Sequence, residues 1–107
     1  MYIEIDVQEL IDRGDGVLES GEYLGTLRLP LEYAPLQYGE ELIFDGDVEL
    51  HISPDTIRRE FFSEEYRQGR PTLPSWCYLA TARPNAGLTR DRLHEVLRKF
   101  DFITVVS

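Results

Sequence analysis

The sequence predicts an α+β fold: a mainly antiparallel sheet of about five to six strands with two main helices packed on one face. The expected order is β, an optional short helix, β, a β-hairpin, α, β, α, β. Three observations predict it. "YIEIDV" alternates apolar and polar residues with the period of a half-buried strand. "ELIFDGDVELHI" places Asp-Gly between two alternating runs, a strong short-range hairpin signal. "LTRDRLHEVLRKF" repeats apolar residues with helical spacing.

Taken in order, Ile3, Ile5 and Val7 form the inward face of the first strand. "VQELIDRGDG" reads as a short helical turn or a loop, with Asp6 as a cap and Gly14 as its stop. "GEYLGTLRLPLEY" reads as a strand. Pro30 cannot donate to a ladder, so this strand is expected at an edge or to end in a bulge. "APLQYG" reads as a loop. In the hairpin, a two-residue turn would pair Phe44 with Asp47 and scatter the apolar side chains. A three-residue turn, Asp45-Gly46-Asp47, pairs Phe44 with Val48 and Leu42 with Leu50, and collects five apolar residues on one face.

"SPDTIRREFFSEEYRQG" reads as the first main helix. Ser53 would cap it, Pro54 fits the first turn, Asp55 complements the dipole and Gly69 closes it. Its apolar residues fall on two separate ridges, Ile57 with Phe61 and Phe62 with Tyr66, which is unusual for a helix with one buried stripe. "SWCYLATA" is apolar on both faces and reads as a central strand. In the last helix Thr89 is the cap, Leu88 staples to Leu93, and Leu93, Val96, Leu97 and Phe100 form one stripe. "DFITVVS" closes the chain as a β-branched strand, and strand, helix and strand here form a crossover between parallel strands.

The chain has 107 residues, suiting one domain over 1–107. Cys77 is the only cysteine, so an internal disulfide is excluded. The first residues lack the basic region of a signal peptide, no apolar run suits a bilayer span, and a cytoplasmic protein is expected. The net charge is −9. Residues 1–57 carry 14 acids against Arg13 and Arg28, a balance of −12, while residues 58–107 carry a balance of +3. Such a surface repels phosphate, so neither free nucleic acid nor an anionic membrane is an expected partner. A basic protein surface is, including that of a nucleic-acid-binding protein or a nuclease.

Chemistry-bearing motifs are scarce. Asp45, Asp47, Glu49 and His51 occupy alternate positions, but same-face neighbours on a strand stand nearly 7 Å apart. One ion cannot be held by all four, and the preferred turn removes two of them from the row. Cys77 lies mid-strand and reads as a small buried hydrophobe. His94 reads as a surface residue. No nucleophile elbow or phosphate-binding glycine loop occurs, and no cofactor is expected.

These observations predict a non-enzymatic binding or inhibitor protein whose acidic half docks a basic partner. Carboxylates would steer the encounter and tyrosines would anchor it. The expected contact residues are Glu19, Glu22, Tyr23, Glu32, Tyr33, Tyr38, Glu40, Glu41, Asp45, Asp47 and Glu49. Small acidic chains without visible catalytic groups include toxin-immunity proteins and phage inhibitors of defence nucleases, a likeness of composition alone. Two alternatives stand beside it. One is an assembly subunit or homodimer using the Phe62–Tyr66 ridge. The other is a small enzyme or metal protein using Asp45, Glu49 and His51.

Overall fold

The computed structural model describes residues 1–33, 41–70 and 72–106. It contains β1 (Tyr2–Asp12), β2 (Leu18–Pro30), a 3-10 turn (Leu31–Tyr33), β3 (Glu41–Phe44), β4 (Val48–Phe61), α1 (Glu64–Arg67), β5 (Trp76–Pro84), α2 (Arg90–Leu97) and β6 (Thr104–Val105). The strands form one curled, mixed sheet in the order β3-β4-β5-β1-β2-β6. β1 and β5 run parallel; the other neighbours are antiparallel.

Ile3, Ile5 and Val7 of β1 meet Leu27 and Leu29 of β2, Val48, Leu50 and Ile52 of β4, and Ala80 and Ala82 of β5 in one buried cluster. α2 closes it with Leu93, Val96 and Leu97. Thr89 caps α2 by accepting from Arg92 N at 3.2 Å, and Leu88 is buried beneath it. The curl brings the far edges of the sheet toward each other. Four aromatic rings span that gap in sequence, Phe44 to Phe100 at 5.4 Å, Phe100 to Phe102 at 5.8 Å and Phe102 to Tyr33 at 4.7 Å. Edge-to-face and offset contacts of this kind add to simple burial.

The β3–β4 hairpin adopts the expected register, Phe44 opposite Val48 and Leu42 opposite Leu50. The left-handed positions are Asp45 (φ 55°) and Gly46 (φ 68°), and Asp47 N donates to Phe44 O at 3.1 Å. Asp tolerates this conformation better than most side chains, so Asp47 need not be glycine. β5 is central and Cys77 is fully buried, as its apolar surroundings predict. β5, α2 and β6 join parallel strands, with β1 and β2 lying between them.

The expected sheet with two packed helices is wrong. Residues 53–61 belong to the 14-residue strand β4, and the only helix between Ser53 and Gly69 is the four-residue α1, none of whose residues is buried. The two ridges belong to two elements: Ile57 and Phe61 lie on β4, whereas Phe62 and Tyr66 stack on each other where the chain enters α1. As a strand, Ile57, Arg59 and Phe61 share one face while Arg58 and Glu60 share the other, and β5 needs a neighbour on that side. The Ser-Pro-Asp punctuation marks a bulge instead. β4 advances from Ser53 to Arg58 while β5 moves only from Thr81 to Leu79. A proline cannot serve a ladder and is tolerated where the ladder is broken. The true helix cap is Ser63, which accepts from Tyr66 N at 3.1 Å. The short helical turn or loop expected after Asp6 is instead strand, because β1 continues to Asp12. Among the described residues no helix is long and apolar enough to cross a membrane.

Thr56 holds the β4 bulge. Its hydroxyl accepts from Thr81 N at 2.8 Å and donates to Ser53 O at 2.6 Å. It thereby replaces the ladder bonds that the bulge removes. Thr56→Val keeps the shape but leaves both groups without that partner. It should cost about 1–3 kcal/mol of stability, read as a lower urea midpoint at unchanged slope; an unchanged midpoint would show that the bulge does not depend on this hydroxyl.

Candidate functional site

β1 leaves β5 after Val7, which pairs with Ala82 on one side and Gly25 on the other. From Gln8 to Tyr23 the described ladder joins β1 and β2 to each other alone. This two-stranded arm is bent at its root. Opposite Val7–Gln8, β2 advances from Gly25 to Tyr23, and opposite Gln8–Leu10 it advances from Tyr23 to Ser20. Each irregularity places an extra residue in β2, and such bulges raise local twist. The first extra residue, Leu24, is only 1% exposed, and its carbonyl lies 3.3 Å from His94 Nε2. His94 is therefore half-buried and in contact with the arm's root, not the surface residue its basic neighbours suggest. At the second irregularity, Gln8 Nε2 donates to Gly21 O at 2.7 Å, restoring a link across the strands.

The arm's end is built from short acidic turns. Asp12 Oδ1 accepts from Gly14 N at 2.8 Å and Asp15 Oδ1 accepts from Val17 N at 3.0 Å. Gly14 (φ 87°) and Gly16 (φ 81°) supply the left-handed residues between them. Glu9, Asp12, Asp15, Glu19 and Glu22 face a single base, Arg13, which pairs with Glu19 at 2.9 Å. Ile11 and Val17 are exposed at the same end, Val17 at 57%.

The other expected contact residues are distributed differently. Asp47 receives a hydrogen bond from Arg92 Nε at 2.9 Å and an ion pair from the same guanidinium, whose pKa is raised chiefly by that hydrogen bond. Asp45 lies 3.5 Å from Lys99 Nζ, and Glu41 lies 3.3 Å from His51 Nδ1. The hairpin tip is thus already paired with bases of the C-terminal half. Glu49 is exposed, and its backbone is tied to Asn85, with Glu49 N donating to Asn85 Oδ1 at 3.1 Å. Glu32 is exposed in the 3-10 turn, and Tyr33 stacks on Phe102. Tyr23 O accepts from Arg90 at 3.2 Å, and its hydroxyl meets that of Thr26, which donates to Asp6 at 2.6 Å. Tyr38 and Glu40 lie outside the described residues. Only Glu19, Glu22 and Tyr23 of the expected set belong to the arm. Among the described residues no three His, Cys, Asp or Glu side chains converge as metal ligands.

Two features escape a sequence reading. One is the arm itself, whose signal was Asp15-Gly16 between two strand-forming runs. The other is an aromatic patch where the core face runs beyond α2. Arg59 lies over Trp76 at 4.5 Å and over Tyr78 at 4.9 Å, and it donates to the Tyr78 hydroxyl. Phe61 is 69% exposed beside Trp76. No known protein family, no curated protein and no solved structure matches this chain.

The opposite sheet face carries a tight polar cluster. Arg28 pairs with Glu4 at 2.7 Å and lies 4.3 Å over the Tyr2 ring. Burial raises the Tyr2 phenol and the Cys77 thiol above their ordinary pKa values; nearby Glu4 pushes both the same way, and Arg28 opposes it. A raised folded pKa favours the neutral form. Its contribution to stability is complete below the unfolded pKa and is lost as pH rises through the folded one. Stability should therefore begin to fall above about pH 8.5 for the thiol and about pH 10 for the phenol. In denaturant melts from pH 7 to 11, Cys77→Ala should flatten the earlier part of that decline; an unchanged slope would contradict the assignment.

Proposed function

We propose that this chain is a non-catalytic binding protein that presents the acidic β1–β2 arm to a basic surface of a partner protein. One observation carries the reading: five carboxylates and two exposed apolar side chains share an arm in which β1 and β2 pair only with each other, with one base among them. Exposed carboxylates steer a basic partner into contact, and Ile11 and Val17 offer apolar area for the bound state. The hairpin acids contribute less to this surface, because Arg92 and Lys99 already neutralise Asp47 and Asp45. A partner that itself binds nucleic acid, as a nuclease does, would supply such a basic surface. The single buried thiol fits a reducing, cytoplasmic setting.

Affinity capture from the native host tests this. Reversing Asp12, Asp15 and Glu22 to lysine should weaken a captured basic partner by about tenfold or more, while Asp45→Asn with Asp47→Asn should change it little. The wild-type complex should also weaken as salt is raised. A partner indifferent to both salt and arm reversal would refute the reading.

A second reading, a self-assembling subunit, draws on the exposed Phe61 beside Trp76 on a sheet face that α2 leaves open. Light scattering across a concentration series decides it. A dimer disrupted by Phe61→Ser favours assembly, and a monomer throughout removes it.

A further inference from the structure

We propose that the cleft between the diverging ends of β1 and β5 takes an extended, basic segment of the partner, added as a strand along the open edge of β1 from Gln8 to Asp12. The inference rests on the acidic-arm reading and specifies how that arm binds.

The cleft follows from the splay. β1 and β5 pair from Ile3 with Tyr78 to Val7 with Ala82 and then separate, although both strands continue. A cavity of about 460 Å³ opens there between Glu9, Leu10 and Ile11 on one wall and Arg83, Pro84 and Asn85 on the other. A second, of about 240 Å³, lies between Gln8, Leu10, Thr56 and Thr81. Past Val7 no described strand pairs with β1 on that side. Five residues at strand rise give about 17 Å of edge. Backbone groups along such an edge can pair with an incoming chain.

The edge also selects its occupant. The bulges that bend the arm place their extra residues in β2, so β1 itself stays regular opposite an incoming strand. No proline or lysine interrupts Gln8–Asp12. If a second copy paired here in parallel register, Glu9 and Asp12 would face their own counterparts, and an antiparallel pair centred between Leu10 and Ile11 would set Glu9 against Asp12; like charges directly opposite are destabilising. A basic segment meets the reverse situation. Arg83 on the far wall disfavours an unbroken run of bases, so alternating basic and apolar residues fit best.

The test uses the whole chain and a ten-residue peptide of alternating lysine and valine. Two versions N-methylated on alternate residues, one in each frame, remove one or the other set of backbone donors, and an aspartate–valine peptide reverses the charge. Binding of the lysine–valine peptide should slow amide exchange within Gln8–Asp12 by at least about tenfold. One methylated frame should lose about tenfold in affinity and the other should not. If the peptide binds without protecting that edge, or both frames bind like the parent, strand addition is overturned while acidic docking stands. If the aspartate–valine peptide protects the edge equally, the choice of a basic occupant falls, and the acidic-arm reading with it. Absence of binding by the lysine–valine peptide at millimolar concentration overturns the proposal.

Discussion

Val7 is the last residue of β1 with a strand on both sides. It is fully buried, paired to Ala82 by a parallel ladder and to Gly25 by an antiparallel one. Immediately beyond it, β2 carries Leu24 as an extra residue and turns that side chain into the core. A sheet can absorb one extra residue only by bending the strand that holds it. The bend carries β1 away from β5, and the arm, its acidic end and the cleft beside it all follow. His94 fixes the same spot from α2 through the Leu24 carbonyl. The helix that closes the core therefore also sets where the arm begins.

Charge is arranged on two levels. The sequence divides into a strongly acidic half and a mildly basic one, which suggests a uniformly acidic docking surface. Folding brings part of the two halves together, with Arg92 on Asp47 and Lys99 on Asp45. These pairs are exposed and add little stability, but they remove negative potential from the β3–β4 tip. Along the arm only Arg13 offsets the acids, and it is occupied by Glu19. Net charge alone could not separate the neutralised cluster from the open one.

What could be read from residues depended on how local the cause was. Alternation in β1, the Asp45-Gly46-Asp47 register and the Thr89 cap are decided within a few positions, and the structure retains them. The helix expected from Ser53 gives way to β4 because Ser-Pro-Asp serves a helix start and a bulge equally well, and the choice lies with β5, some 20 residues away in sequence. The two apolar ridges between Ile57 and Tyr66 argue against a single helix, since a helix with one buried face shows one stripe. The arm was hidden for a related reason. "VQELID" lacks clean alternation because, past Val7, a ribbon that buries neither face has no core to dictate a pattern. Of the expected contact residues, those on the arm share one element, whereas Asp45 and Asp47 are engaged by α2 through contacts no spacing rule reveals.

The central claim is that β1 changes company at Val7, leaving an open strand edge facing a cleft. Backbone NOE spectroscopy of the free protein tests this most directly. Cross-strand contacts between β1 and β5 should run from Ile3 with Tyr78 to Val7 with Ala82 and then stop, while contacts between Ile11 and Glu19 across the arm persist. A β1–β5 ladder continuing past Val7 to join Gln8 or Leu10 with Arg83 and Pro84 would contradict the account, for it would close the cleft and bury the edge.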